Sequence, residues 1–231
     1  MKFIEEPQLL ALTNLLTDMK IGERVLTGRL EAFSCKRGGG EKKLCQQLDQ
    51  HIKEMGASPQ VYGTSPSLGA LTDSSVRRLL IDLVCTMNAS FPDYDFSDIT
   101  PEMFAREGSV AAAVARVNAH LAEIGEVYHA ATWLAHLWSC VEEAIRLKDC
   151  EVYSYVPDMQ GGDPFSDGSL WSFNYFFVNR SLKRILYFTC VAKSRYRVME
   201  ETGGDGGDGC IDDDDDGDDA DGGIFSADDS R

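Results

Sequence analysis

Carboxylates come close together in "DYDFSD" (93 to 98) and "DPFSDG" (163 to 168) of this 231-residue chain, the arrangement that general acid and base work requires. Neither stretch supplies an activated nucleophile or a convergent basic group, so turn or strand-end polarity accounts for them better. His129 and His136 stand seven residues apart. That is about 10.5 Å along a helix, too far to share one metal ion, and His51 and His120 have no neighbour at ligand spacing. "KRGGGEKK" (36 to 43) has a glycine run but lacks the Lys-Ser/Thr pair of a phosphate loop, and reads as a basic turn or a weak nuclear-import signal. The seven cysteines include no C-x-x-C pair and no visible partner base; Cys35, Cys85, Cys140, Cys150 and Cys190 fit small core residues. No catalytic residue, metal site or cofactor is expected.

The elements that must position these residues follow from apolar spacing. "SLWSFNYFFVNRSLKRILYF" (169 to 188) reads as two strands around a short break. Alternation puts Trp171, Phe173, Tyr175 and Phe177 on one side of the first strand and Leu170, Ser172, Asn174, Phe176 and Val178 on the other. A strand apolar on both sides is central and covered twice. Helical stripes are available as cover. They run through Leu9, Leu12 and Leu16 behind Pro7; through Leu44, Leu48, Ile52 and Met55; through Val76, Leu79, Leu80, Leu83, Val84 and Met87 behind Thr72 or Asp73; through Val110, Ala113, Val114, Val117, Leu121 and Ile124 behind Ser109; and through Leu134, Leu137, Trp138, Val141 and Ile145. Further strands are expected at 24 to 36 and 150 to 156, so that the fold ends in an antiparallel meander. The expected class is α+β: one globular domain, a mainly antiparallel sheet between helices on both faces, a three-layer α/β/α sandwich. Lys183 and Arg184, adjacent in the second strand, should point to opposite faces as candidates for a partner contact.

The formal net charge of -16 is unevenly distributed. Residues 200 to 231 hold 14 acidic residues and one Arg, leaving 24 acidic and 21 basic residues in 1 to 199. The tail is therefore expected to be disordered, with 1 to 199 as the globular domain. Gly, Ser and Pro enrich 56 to 75, an expected mobile linker in which Ser58 and Ser65 precede prolines and suit proline-directed kinases. No apolar run reaches the roughly 18 residues of a membrane helix. The mildly acidic core shows no DNA-binding motif, so sequence-specific DNA binding is not expected.

Three stretches add a resemblance: "GRLEAFSCK" (28 to 36), "FPDYDFS" (91 to 97) and "YSYVPDMQGGDPFSDGSLWSFNYFFVNRSLKRILYFTC" (153 to 190). In this order they resemble the three signature boxes of the Maf-type global repressor family of RNA polymerase III transcription, of which the chain reads as a full-length member. The resemblance implies a nonenzymatic monomer that binds the polymerase near its clamp and initiation subcomplex. It would block engagement with the promoter-bound initiation factor containing TATA-binding protein, and so lower synthesis of tRNA, 5S rRNA and other small RNAs. It also implies shuttling between nucleus and cytoplasm under kinases and phosphatases, which makes Ser58, Ser65 and Ser67 the phosphorylation candidates. Cys45 stands where a basophilic kinase would need a hydroxyl. Arg29, Glu31, Lys36, Asp93, Asp95, Lys183 and Arg184 become candidates for contacts with polymerase or for holding the boxes together. Two other classes stay open: an acidic-tail histone or nucleic-acid-mimic chaperone, and a small-molecule enzyme built on the Asp clusters.

Overall fold

Eleven-residue stretches with apolar side chains on both faces form the middle of the sheet. The computed structural model describes residues 1–36, 41–57, 64–65, 67–124, 130–157 and 162–202. In it β8 (Ser169–Asn179) and β9 (Arg184–Ser194) form the expected hairpin. β9 also pairs along its length with β3 (Arg24–Ser34), from Arg24↔Ser194 to Ser34↔Arg184. β7 (Glu151–Tyr155) and then β6 (Phe104–Arg106) continue the sheet beyond β8, while β1 (Lys2–Ile4) and β2 (Met19–Ile21) share the outer edge of β3. All these pairings are antiparallel.

Strand alternation divides the core in two. Leu26, Leu30, Phe173, Tyr175, Phe177, Leu186 and Phe188 face α1 (Pro7–Leu16), α4 (Val110–His120) and α5 (Ala130–Ile145). Phe33, Tyr153, Phe176, Val178, Ile185 and Tyr187 face α2 (Glu41–Ala57) and α3 (Ser74–Ser90). The result is the expected three-layer sandwich. Pro7 opens α1, Asp73 caps α3 by accepting from the Ser75 N–H at 2.7 Å, and Ser109 caps α4 by accepting from Ala112 N–H at 3.1 Å. Gly28 lets α1 rest directly on β3: a Cβ there would sit 3.0 Å from the Leu16 Cβ and Cδ1 atoms.

Several elements depart from the expectation. β1, β2, β6 and a terminal helix, α6 (Arg195–Thr202), were not anticipated, since three-residue edge strands are too short to show a period. Within the expected linker, β4 (Thr64–Ser65) and β5 (Gly69–Ala70) form a two-stranded ladder, and Leu71 is only 2% exposed in the second core. Lys183 is a turn residue, not a strand residue: its φ is 53° and its N–H donates to the Arg180 carbonyl at 3.3 Å. Ser58, His129, the glycine run at 38–40 and the acidic stretch 203–231 lie outside the described residues.

Candidate partner-binding site

Alternation along β3 directs Thr27, Arg29 and Glu31 to the second face of the sheet, and pairing with β9 sets Arg29 against Thr189 and Glu31 against Tyr187. The end of α3 descends onto this row. Arg29 Nη1 donates to the Ser90 carbonyl, and its guanidinium carbon lies 4.7 Å from the centroid of the Phe91 ring. Burial pushes the Glu31 carboxyl above its usual range, and neighbouring Ser90 and Arg29 pull it partly back. Ser90 Oγ and Glu31 Oε2 are nonetheless buried without a well-formed hydrogen bond. Next along the row the fully buried Tyr187 hydroxyl donates to Asn174 Oδ1 at 2.7 Å. Burial drives its pKa well up, tempered by the adjacent Thr189 hydroxyl, which itself closes no hydrogen bond of good geometry.

Phe91 is where all three sequence boxes meet. Its ring lies edge-on to Phe165 at 5.2 Å, to Phe96 at 6.4 Å and to Tyr187 at 6.4 Å, under the Arg29 guanidinium. Asn88 Oδ1 accepts from the Phe96 N–H at 2.8 Å and holds the loop after α3 against the core. Asp95 Oδ1 accepts from the Ser97 N–H and hydroxyl at 2.9 and 2.6 Å, and those bonds hold its carboxyl below the usual range. Asp163 accepts likewise from Phe165 N–H and from Ser166. Both acidic motifs thus act as turn-formers. Asp93 is exposed on the same loop.

The remaining candidates gather at the opposite end of the β3–β9 pair. The Cys35 N–H donates to the Lys183 carbonyl at 2.9 Å, which sets the exposed Lys36 beside the β8–β9 turn. Lys183, Arg180, Arg78 and Asp82 line a groove of about 290 Å³ there. Arg180 is shared with Glu151, at 2.7 Å. Arg184 is not part of this surface. It turns to the first face, where Nη1 meets Glu6 Oε1 at 3.4 Å and the Ala144 carbonyl at 3.2 Å, tying the start of α1 to the end of α5. Sequence reasoning missed Arg78 and the anchoring role of Phe91. Arg78 belongs to the polar side of a helix, where nothing in the spacing distinguishes it.

Of the phosphorylation candidates, Ser65 lies in the ladder opposite Gly69 and Ser67 is half-buried in the turn that follows. Among the described residues no group of three His, Cys, Asp or Glu could hold a metal ion, and no helix is long and apolar enough to cross a membrane. Burial pushes the Cys190 thiol up to about 12, a value suited to packing and opposed to nucleophilic use.

These features define a helix-flanked antiparallel-sheet protein whose charged groups either lock its sequence boxes together or line a surface groove. The family model described as "Maf1 regulator" matches residues 26–189, and the chain belongs to that family of transcription repressors. A protein of Dictyostelium discoideum named "Repressor of RNA polymerase III transcription" is 33% identical over 252 aligned residues, covering 89% of each chain. The Schizosaccharomyces pombe protein named "Repressor of RNA polymerase III transcription maf1" is 34% identical over 200, covering 82% of each. The crystal structure of citrus MAF1 in space group P 31 2 1 superimposes with a TM-score of 0.63 at 30% identity, over 82% of this chain and 98% of that one. A second crystal form gives the same score at 32% identity.

Proposed function

We propose that this chain represses RNA polymerase III transcription by binding the polymerase and occluding its engagement with the promoter-bound initiation factor, without chemistry of its own. The observation that carries this reading is the convergence of the first and last boxes. Pairing Ser34 with Arg184 brings Lys183, Arg78 and Arg180 around one groove that also holds Asp82, with the exposed Lys36 next to its Cys35 wall, a mainly basic surface suited to an acidic patch on a large partner. Asp93, exposed on the second box, is a further contact. Arg29 and Glu31 support the same function from inside, by joining the first box to the second. The chain acts as a monomer that shuttles between cytoplasm and nucleus. Phosphate on Ser58, Ser65 or Ser67 would add nearly two negative charges each and oppose the basic groove.

The test is capture of purified RNA polymerase III, and repression of promoter-dependent tRNA-gene transcription, by the full chain carrying Lys36→Glu, Arg78→Glu and Lys183→Glu together. All three side chains are exposed, so the melting temperature should hold while capture weakens at least about tenfold. Capture equal to the unmodified chain refutes the groove. A chain ending at residue 202 should still bind; its failure would move the activity to the acidic stretch.

A further inference from the structure

The second helical layer stops short over one end of the β3–β9 pair. α3 ends at Ser90, and α6 returns across the sheet only near the Arg24 end of β3. Between them lies a cavity of about 320 Å³. Its floor is three cross-strand pairs: Arg29 with Thr189, Thr27 with Val191, and Val25 with Lys193. Phe91, Pro164 and Val198 wall it. The cavity lies about 20 Å along the strands from the basic groove, so it is a separate place on the molecule.

Its chemistry is selective. Half of the lining residues are aliphatic or aromatic, namely Val25, Phe91, Pro164, Val191 and Val198; Arg29 and Thr189 form one polar end, and Lys193 marks the other. Arg29 commits Nη1 to the Ser90 carbonyl, and among the described residues its other nitrogens make no hydrogen bond. Thr189, only 2% exposed, lines the same end with its hydroxyl beside that of Tyr187. Asp18 at the rim is the one carboxylate in the lining, and its Oδ1 accepts from Thr27 Oγ1 at 3.2 Å.

We propose that this cavity binds a small organic carboxylate with a compact apolar body. The carboxylate sits on Arg29 and Thr189, where a guanidinium fork and a hydroxyl match its two oxygens. The body lies among Val25, Val191 and Val198. A volume near the lower end of ligand pockets excludes a nucleotide or a peptide of more than a residue or two. The occupant touches Arg29 of the first box, Phe91 of the second and Thr189 of the third, so its binding adds to the stability of their junction.

The experiment uses the full chain with phenylacetate and hexanoate as probes and phenylacetamide as the neutral isostere of the first, read by methyl NMR at the valines. Phenylacetate should shift the Val25, Val191 and Val198 methyl signals, bind at least about tenfold more tightly than phenylacetamide, and raise the melting temperature. Val198→Trp should fill the cavity from the terminal helix and abolish those shifts with the fold intact; Thr189→Val should weaken binding without touching the Arg29 contacts. The proposal is overturned if neither carboxylate shifts the valine methyls at about 10 mM. It is equally overturned if phenylacetamide binds as well as phenylacetate, or if Val198→Trp, folded as judged by its melting temperature, leaves binding unchanged.

Discussion

Replacing Arg29 by Leu should weaken the fold itself, because its guanidinium ties the end of α3 to β3 through the Ser90 carbonyl and the Phe91 ring. Leu keeps part of the side chain's packing on Phe91 and removes two interactions. A hydrogen bond from a charged donor to the Ser90 carbonyl contributes about 1.5–3 kcal/mol. The contact of the guanidinium with the Phe91 ring adds about 0.5–1 kcal/mol or more where water is excluded. Together these two come to about 2–4 kcal/mol, and the stranded Glu31 carboxylate, whose burial Arg29 offsets, pushes the loss toward the upper end. In a chain of this size each kcal/mol lowers the melting temperature by about 2–4 °C, so a fall of about 5–15 °C is expected by circular dichroism. Adding Glu31→Gln should recover part of it by removing the uncompensated charge. Polymerase capture should then be measured well below the melting point, where the folded variant retains binding. A variant that melts within about 2 °C of the unmodified chain yet no longer captures polymerase would refute the internal role and place Arg29 on the partner.

Glu31→Gln alone carries a pH signature. Since burial holds the folded carboxyl above its unfolded value, the penalty of the buried charge is fully present above the folded pKa and vanishes below the unfolded one. Glu31→Gln should therefore melt above the unmodified chain at pH 7, with the gap closing toward about pH 4 in a melting series. Tyr187→Phe leaves Asn174 Oδ1 without its donor and should cost about 1–3 kcal/mol in urea unfolding; combined with Asn174→Leu, the loss should be smaller than the sum of the two single changes. Gly28→Ala forces a methyl against Leu16 and should cost about 1–3 kcal/mol, partly relieved by Leu16→Ala, again by urea unfolding.

The layers of the fold were legible because their signals are local. β8 and β9 are apolar on both faces and so had to be central, and the stripes behind Pro7, Asp73 and Ser109 had to be helices that cover them. The charged candidates were legible as residues but not as roles. Arg29 meets the Ser90 carbonyl across 61 positions, and Arg184 meets Glu6 across 178, separations that no periodicity reports. Lys183 was misplaced because its left-handed backbone comes from the closure of the β8–β9 turn, where Asn and Gly would be the expected signals and Lys gives none. The cavity was invisible for a similar reason: it exists where a layer ends, and layer ends follow from packing.

The pairing of β3 with β9 also sets a timetable for synthesis. β3 leaves the ribosome some 150 residues ahead of the strand that occupies its inner edge, which at about 5–20 residues per second is an interval of about 8–30 s. Throughout it the nascent chain carries an unpaired eleven-residue edge and half of two hydrophobic cores. The sheet cannot close until its last strand emerges, so the decisive step of folding waits on distant contacts and is slow for a domain of this size. A cell making this protein must shield that waiting edge from other chains.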